Sequence, residues 1–272
     1  NLSVHHIGGR SGTRGFPHLK GFEKDIINVL YDADEECLEQ IKEFNAGHKS
    51  KLHVLPYAFS DKCKLSALNM NYDPNTNSLL ESNESLGSFY TFMNNHDYIL
   101  GEATKTVEKR KIEVVSMDHM YSSEDVSIPK PDFLSIDAEG VEYDILKGSI
   151  ETMKSSILAV QSEVSFLPIR KDQAKFGELC EFLLKHGYYF VAFDQISQYA
   201  PYRYPVGLRG NGFYSTTDAL FLRKIDVINN LFSDPLERYI NLRKLAFISI
   251  VFYQIEYGLE CLKCSRAIKK KY

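Results

Sequence analysis

The fold is decided by the stretch Asp132-Phe133-Leu134-Ser135-Ile136-Asp137-Ala138-Glu139-Gly140-Val141-Glu142-Tyr143-Asp144-Ile145-Leu146-Lys147-Gly148. Its apolar run Phe133–Ile136 has the length of a buried strand and stops at Asp137. A tight acidic turn through Gly140 follows, and apolar residues then recur at helical spacing. Those apolar residues are Val141, Ile145, Leu146 and Met153. The pattern predicts a strand, a turn and a helix, which is the repeating unit of a parallel α/β sheet.

The acid at the end of this strand is the first candidate site residue. In an open parallel sheet, ligands bind outside the carboxyl ends of the strands, so Asp137 would lie at the site. A carboxylate that ends an apolar strand is costly without a partner, which favours a functional role. Glu139 and Glu142 have two interpretations: they are further site acids, or they complement the dipole at a helix N-terminus.

Composition limits the class of protein. The chain has 272 residues, is 44% hydrophobic and carries a net charge of −4. This content is enough for a sizeable core, and the absence of a basic excess argues against a nucleic-acid-binding protein. Five cysteines at scattered spacings indicate reduced thiols in a cytoplasmic protein. Cys261 and Cys264 form a CxxC, which we interpret as two ordinary helix residues rather than a zinc or redox site. Because the chain begins at Asn1, we expect upstream sequence.

Two strands with polar ends open the chain. Residues 3–7 predict the first strand, and it leads into Gly8-Gly9-Arg10-Ser11-Gly12, where glycines let backbone approach a ligand. Arg10 stands where the dinucleotide fingerprint needs its second glycine, which disfavours a nucleotide-dependent oxidoreductase. The second strand, Ile26–Tyr31, ends at Asp32, where such folds hydrogen-bond a ribose hydroxyl.

Further apolar runs predict the rest of the sheet. They are residues 52–59, 112–116, 157–162, 188–193 and 219–223. Glu163 comes directly after the run 157–162, just as Asp137 comes directly after the run Phe133–Ile136. Two carboxylates at adjacent strand ends would share a metal ion, or would raise one another's pKa so that one serves as a base. The alternative is that Glu163 is a structural acid paired with Arg170 or Lys171.

Two polar stretches lack strong periodicity. Residues 69–102 are rich in Asn, Ser and Tyr, which indicates either a functional cover or a mobile loop. Residues 194–217 place aromatic residues among arginines, a composition that suits a sugar ring or a phosphate-bearing acceptor. The aromatic and basic residues are Tyr199, Tyr202, Arg203, Tyr204, Arg209 and Phe213. The alternative is a hairpin loop that packs on its own tyrosines.

The C-terminal part predicts one or two helices over residues 231–262. Residues 245–253 are very apolar, but Glu256 and Glu260 follow too soon for a membrane span. We therefore expect these helices to pack on the domain or to form a homodimer.

The ordered motifs resemble those of the FkbM family of S-adenosylmethionine-dependent methyltransferases. Residues 136–146, Ile-Asp-Ala-Glu-Gly-Val-Glu-Tyr-Asp-Ile-Leu, are similar to the family pattern D-x-E-G-x-E-x-x-x-L. Four other segments, all earlier in the chain, occur in the same order as in the family. Gly8-Gly9-Arg10-Ser11-Gly12 resembles the family's cofactor loop, and Tyr31-Asp32-Ala33-Asp34 resembles its F-E-P-N motif. Ala58-Phe59-Ser60-Asp61 resembles its A-x-S-D motif, and Ser78-Leu79-Leu80-Glu81 resembles its S-S-L-L motif. His6 and Arg10 depart from the Asp and Asn that are usual in the family.

The resemblance implies a three-layer, Rossmann-like class I methyltransferase sheet of seven strands with the last one antiparallel. It assigns residues 1–224 to the domain and residues 225–272 to a C-terminal helical extension. It also implies S-adenosylmethionine at Gly8, Gly9, Arg10, Gly12, Asp32, Ala33, Ser60, Asp61 and Asp137. Among these, Asp32 would hold the ribose and Asp61 would lie near the adenine.

The chemistry implied is methyl transfer to an oxygen. Asp137 is the first candidate for positioning the acceptor or removing its proton, with Glu163 or His6 second, and a divalent metal is an additional cofactor candidate. Tyr202, Arg203, Tyr204 and Arg209 would bind a sugar, glycan or other small polyhydroxylated acceptor, as in polysaccharide biosynthesis. A catalytically silent binding protein with the same fold is the alternative, and the departures at His6 and Arg10 favour it.

Overall fold

The computed structural model describes residues 1–9, 16–17, 19–45, 47, 49–91, 99–123, 127–194, 196–201 and 211–269. Its strands, in chain order, are β1 (Leu2–Ile7), β2 (Ile26–Tyr31), β3 (Lys51–Leu55), β4 (Ala58–Phe59), β5 (Lys64–Asn71), β6 (Tyr90–Thr91), β7 (Thr106–Val115), β8 (Phe133–Ile136), β9 (Ala159–Ser165), β10 (Tyr188–Asp194), β11 (Gln198–Ala200), β12 (Phe213–Tyr214) and β13 (Thr216–Arg223). Its α-helices are α1 (Leu38–Asn45), α2 (Leu100–Ala103), α3 (Met117–Ser122), α4 (Glu142–Lys147), α5 (Ile150–Ser155), α6 (Phe176–Lys185), α7 (Ile225–Leu231), α8 (Pro235–Val251) and α9 (Ile255–Lys269).

The main sheet of the described residues has seven strands in the order β10-β13-β9-β8-β1-β2-β3. β13 runs antiparallel to both of its neighbours, and the other pairings are parallel. The predicted class I methyltransferase sheet, with its last strand antiparallel, is therefore confirmed. Parallel strands joined by crossovers bring their carboxyl ends to one edge, and that edge forms the site.

Each face of the main sheet carries its own core, because side chains alternate along a strand. Ile7, Ile136, Val160 and Phe221 face helices α4, α5 and α6. The intervening residues Val4, Phe133, Ala159 and Leu222 face the other way, against apolar residues of α8 and α9. Those helix residues are Leu242, Leu245, Ala246, Ile248 and Cys261.

The C-terminal helices are thus one layer of the fold. Lys244 of α8 places its Nζ 2.8 Å from both carboxylate oxygens of Asp132, which is buried at the start of β8. Asp132 also accepts a hydrogen bond from the amide of Ser3 at 2.8 Å. A helix from the end of the chain is therefore tied to two central strands. Among the described residues, no helix combines the length and the hydrophobicity that spanning a bilayer requires.

Several predicted elements differ from the structure. The strand predicted over residues 112–116 is the end of the longer β7, which pairs with β4 and β5 outside the main sheet. The strand predicted over residues 52–59 ends at Leu55, and Ala58–Phe59 instead pairs with β7 in a small sheet of β4, β7 and β5. Pro56 lies at the break, and proline has no amide hydrogen to continue a ladder. The strand predicted over residues 157–162 runs on to Ser165, because β13 pairs with it that far. Glu163 therefore lies within β9 instead of ending it.

The helix predicted after the acidic turn is split into α4 and α5. A Cβ at Gly148 would collide with the carbonyl oxygen of Ser60, so the chain passes close to the small sheet at this point. Asp118 then accepts hydrogen bonds from the amides of Glu151 (2.9 Å) and Thr152 (2.7 Å) at the start of α5. The break is favoured by tertiary contacts that the helical periodicity does not reveal.

Candidate cofactor and active site

A row of residues crosses four neighbouring strands at the carboxyl edge of the main sheet. Ile7 pairs with Ile136 and Ile136 with Ser162, so the residues that follow them, Gly8, Asp137 and Glu163, come next to one another. Asp218 of β13 lies directly opposite Glu163. Positions far apart in the sequence are in this way placed side by side.

This row lines a cavity of about 770 Å³. Residues 73–79 line it from the opposite side, and we call residues 73–82 the cover segment. Seven carboxylates line the cavity: Asp32, Asp34, Asp73, Asp137, Glu139, Glu163 and Asp218. Arg170 is the one positively charged side chain among the described lining residues. The cavity therefore favours neutral or cationic groups on a ligand.

Gly8 has the backbone geometry of a ligand-binding loop. Its φ is +90°, a conformation that L side chains rarely adopt, and a Cβ there would collide with the carbonyl oxygen of Asp137. Its amide donates to the carbonyl of Tyr31 at 3.0 Å, and the amide of Asp137 donates to Ile7 at 3.0 Å. Gly8 lines the cavity, and the close contact with Asp137 is what requires glycine at this position.

Asp32 and Ala33 line the cavity where β2 ends. Asp32 accepts a hydrogen bond from the amide of Asp34 at 2.8 Å through Oδ1, and this contact orients its carboxylate. Asp34 is buried and lies 3.5 Å from the guanidinium of Arg110. A carboxylate in this position has the chemistry needed to accept hydrogen bonds from a pair of sugar hydroxyls.

Three carboxylates form the centre of the site. Oxygens of Asp137, Glu139 and Glu163 all lie within 4.8 Å of one another. Burial, with the neighbouring carboxylate of Asp137 adding to it, raises the pKa of Glu163 well above its usual range. An all-oxygen set of this kind has the donor chemistry of a site for Mg²⁺, Mn²⁺ or Ca²⁺, and it also has the chemistry of a proton-sharing pair.

Glu139 pairs with Arg170, one of the two partners that the sequence analysis considered in its alternative for Glu163. Arg170 donates from Nη2 to Glu139 Oε2 at 2.8 Å, so among the described residues that alternative is not what the structure shows. Lys171 instead contacts Glu81 at 3.2 Å on the surface. Burial raises the pKa of Glu139 to about 7, although Arg170 opposes that shift.

Glu142 shapes the acidic turn from within. Its Oε1 accepts hydrogen bonds from the amides of Ala138 (2.9 Å) and Gly140 (3.0 Å), and its side chain is buried. Burial raises its pKa to about 7. Of the two interpretations that the sequence left open, Glu142 is a structural acid of the turn, whereas Glu139 lines the cavity.

Some predicted site residues lie away from the cavity lining. His6 is fully buried, with Nδ1 2.8 Å from Ser135 Oγ and Nε2 3.1 Å from the carbonyl of Gly8, which favours a role in shaping the loop over a catalytic one. Ser60 is buried and contacts Asp61 at 3.1 Å, while Asp61 pairs with Lys64 at 3.0 Å. Gly9 packs against β2, and a Cβ there would lie 3.3 Å from the carbonyl of Tyr31.

Six predicted residues lie outside the described residues: Arg10, Gly12, Tyr202, Arg203, Tyr204 and Arg209. Of the described part of residues 194–217, five residues line the cavity: Ile196, Ser197, Tyr199, Thr216 and Thr217. Phe213 is 56% exposed in β12 and is not part of the lining. This stretch therefore reaches the site through β11 and its neighbours.

The sequence analysis missed Asp218 and the cover segment as parts of one site. Asp218 precedes an apolar strand, so the rule that singled out Asp137 for following a strand does not apply to it. Because β13 is antiparallel, its first residues lie at the edge where the parallel strands end, and Asp218 is among them. Applying the same rule to the start of the predicted antiparallel strand would have identified Asp218. The other missed acid, Asp73, caps a short turn by accepting from the amide of Asn75 at 3.0 Å.

The CxxC lies in α9 as ordinary helix residues. Cys261 is buried, and burial raises the pKa of its thiol to about 12, which leaves it unreactive at neutral pH. Cys264 is partly buried.

Comparison with known families gives a match over more than half of the chain. The model described as Methyltransferase FkbM domain matches residues 18–190. The chain belongs to this family. The match to the FkbM domain begins after β1 and its glycine loop, so the geometry of Gly8 is independent of it. Among curated proteins, none matches the chain.

Solved structures resemble this FkbM chain distantly. The magnesium protoporphyrin IX methyltransferase of Synechocystis PCC 6803, determined with bound SAM, is 8% identical with a TM-score of 0.39, over 82% of this chain and 70% of that one. Methyltransferase FkbM from Methylobacillus flagellatus KT is 12% identical with a TM-score of 0.39, over 82% of this chain and 44% of that one. These values are too low to carry an argument about the site.

Proposed function

We propose that this FkbM domain binds S-adenosylmethionine and methylates a hydroxyl of a sugar, glycan or other small polyhydroxylated molecule. The observation that carries the proposal is the arrangement of Gly8, Asp32 and Asp137 around one cavity. Gly8 lines the part of the cavity assigned to the methionine end, and Asp32 at the end of β2 accepts from the ribose hydroxyls. The surplus of carboxylates favours a ligand that carries a sulfonium and an ammonium group.

The bound cofactor would supply a methyl group already activated on sulfur. The protein must then align the acceptor oxygen and receive its proton, and the carboxylate of Asp137 is assigned both tasks. Burial raises the pKa of Glu163, which favours its protonated form, and a protonated carboxyl can donate a hydrogen bond to the acceptor. General-base help contributes about 10² to 10⁴-fold, and positioning contributes more. A divalent metal ion held by the oxygens of Asp137, Glu139 and Glu163 is an additional cofactor candidate.

The lining also supports a neutral acceptor. A phosphate would be repelled by the seven carboxylates, and Arg170 is already paired with Glu139. A glycoside or an unphosphorylated sugar meets no such cost, which supports a place in polysaccharide biosynthesis in the cytoplasm.

For the homodimer proposal, the supporting feature is a set of exposed apolar residues on α8 and α9: Ile240, Ile250 and Leu259.

The test is calorimetry with S-adenosylmethionine, S-adenosylhomocysteine and NAD, followed by a screen for S-adenosylhomocysteine release. Neutral glycosides and nucleotide sugars form the two arms of the screen. We expect micromolar binding of the adenosyl compounds, no binding of NAD, and turnover with neutral acceptors. Binding without turnover across the panel would support the silent binding protein, and absence of adenosyl binding would overturn the proposal.

A further inference from the structure

Arg170 is a buried guanidinium that joins two segments of the site. Its side chain is 1% exposed and lies five residues beyond the end of β9. Nη2 donates to the carbonyl of Thr76 at 2.7 Å and to Glu139 Oε2 at 2.8 Å, and Nη1 donates to Ser82 Oγ at 3.1 Å. One side chain therefore holds both the acidic turn and the cover segment.

The cover segment meets the acidic turn through few other contacts. Ser78 donates from Oγ to the carbonyl of Glu139 at 2.7 Å. Ser82, which accepts from Arg170, donates in turn to the carbonyl of Thr104 at 2.8 Å. Beyond residue 80, backbone hydrogen bonds join Lys171 to Glu81 at 2.8 Å. Residues 73–79 are also hydrogen-bonded to Asn69 and Asn71 of β5 and to Ala103. Arg170 and Ser78 link this part of the cover segment to Glu139 of the acidic turn.

The acidic turn is itself shaped around this arginine. Glu139 has φ +56° and Gly140 has φ +111°, both in the left-handed region that side chains disfavour. A Cβ at Gly140 would lie 3.0 Å from Cγ of Arg170, so the arginine stem packs directly on the turn. The amide of Arg170 donates to Gln173 Oε1 at 3.0 Å, and Gln173 donates to Ser165 Oγ at 2.8 Å, which fixes the stem relative to β9.

We propose that Arg170 is the positioning residue of this site. It orients Glu139 and holds the cover segment closed over Asp137 and Glu163, and it supplies the positive charge that balances their cluster. Its effect on the methyl-transfer step rests on the proposed function, but its effect on the cover segment does not.

Arg170 opposes the shift that burial and the carboxylates of Asp137 and Asp73 impose on the pKa of Glu139. Glu163 lies near the same acids, because Asp137, Glu139, Glu142 and Asp218 all raise its pKa. Among the described lining residues, Arg170 is therefore the one positive charge set against this cluster of acids.

The first test uses hydrogen exchange on the protein without ligand, and needs no activity. Arg170→Met removes the charge and the hydrogen bonds. Arg170→Lys retains the charge but cannot make the hydrogen bonds from both Nη1 and Nη2 of the planar guanidinium. Lys171→Met is the matched control, because Lys171 is a neighbouring surface residue paired with Glu81. We expect the amides of residues 75–80 to exchange at least tenfold faster in Arg170→Met, with β1 and β8 unchanged and Lys171→Met like the wild type. Unchanged exchange in the cover segment, or an equal rise in all strands, would overturn the proposal.

Ser82→Ala keeps the test decisive if Arg170→Met fails to fold. It removes the acceptor for Nη1 and leaves the pair with Glu139 intact, so the cover segment should still exchange several-fold faster. The second test measures kcat and the cofactor affinity with an acceptor identified above. We expect Arg170→Met to lower kcat at least tenfold with little change in cofactor affinity, and Arg170→Lys to recover part of the loss. Wild-type kcat in Arg170→Met would contradict the effect on methyl transfer, and wild-type exchange in Ser82→Ala would contradict the positioning role.

Discussion

The backbone of Gly8 lies against the carbonyl of Asp137, with no room for a Cβ between them. β1 and β8 are neighbours in the sheet, and the loop after β1 turns across the end of β8 at this point. The contact joins the proposed cofactor loop to the proposed catalytic acid. Any side chain at Gly8 must therefore move one of them.

Gly8→Ala should destabilise the protein and remove cofactor binding together. A left-handed φ and a steric collision each cost about 1–3 kcal/mol, so we expect a loss of about 2–6 kcal/mol in the free energy of unfolding. Urea unfolding and S-adenosylhomocysteine calorimetry measure the two effects. Gly177→Ala, in α6 with nothing within 4 Å of its Cβ, is the control and should be neutral or slightly stabilising. Wild-type stability in Gly8→Ala would show that the loop is not so constrained.

Asp32→Ala should weaken S-adenosylhomocysteine binding at least tenfold. Hydrogen bonds to a charged group are worth about 1.5–3 kcal/mol, and about 1.4 kcal/mol is a factor of ten. Asp61→Ala provides the comparison, because the family motif places Asp61 near the adenine whereas the structure pairs it with Lys64 outside the lining. We expect Asp61→Ala to retain wild-type affinity in calorimetry. A larger effect at Asp61 than at Asp32 would reverse the assignment.

Asp137→Asn should lower kcat by about 10² to 10⁴-fold while cofactor affinity stays constant. The amide keeps the shape of the side chain but cannot take up a proton. Asp144→Asn is the control, since Asp144 pairs with Lys147 on α4 away from the lining. Initial rates at saturating acceptor, together with calorimetry, separate the two parameters. Turnover of Asp137→Asn at the wild-type rate would rule out the assigned role.

Glu142→Gln should alter how stability depends on pH. Burial raises the pKa of Glu142 from 4.5 to about 7, so folding favours its protonated form. The stability that this preference contributes is present below pH 4.5 and is lost as pH rises to 7. Glutamine keeps an oxygen for the amides of Ala138 and Gly140 and does not titrate. Between pH 5 and 7.5 the variant should gain on the order of 2–3 kcal/mol relative to wild type in urea unfolding.

Glu151→Gln makes the same chemical change at a side chain that is 71% exposed, and serves as the control for Glu142→Gln. If both variants follow the wild type at every pH, the proton on Glu142 is not linked to folding.

Lys244→Met should destabilise the whole sheet, although α8 lies near the end of the chain. It leaves Asp132 buried without its partner, and breaking a buried ion pair costs about 3–5 kcal/mol, less here because Lys244 is 27% exposed. Lys263→Met removes an exposed pair with Glu260 and should change the free energy of unfolding by under about 1 kcal/mol. A fragment of residues 1–224 that folds as stably as the full chain would show that the helices are an appendage.

Local pattern was sufficient for the sheet and for part of the site. Runs such as Phe133–Ile136 and Ile26–Tyr31 appear in the structure with the predicted bounds, because apolar runs of strand length are a property of neighbouring residues. Asp137 and Asp32 follow those runs directly, so parallel topology alone brings both to the carboxyl edge.

The remainder depended on distant parts of the chain. The sequence shows that Arg170 and several acids carry opposite charges. It does not show which acid is the partner, because that depends on how the cover segment and the acidic turn fold around Arg170. The break after Leu55 and the split at Gly148 come from the small sheet.

Sequence by itself determined most strands of the main sheet, the order of the motifs and the acids that end β2 and β8, since each depends on residues close together in the chain. Tertiary structure alone decided that Glu142 is buried while Asp137 lines the cavity, that Asp218 joins the row, and that α8 and α9 complete the core. Burial and pairing are set by what packs against a residue, and at these positions the packing partners come from remote elements.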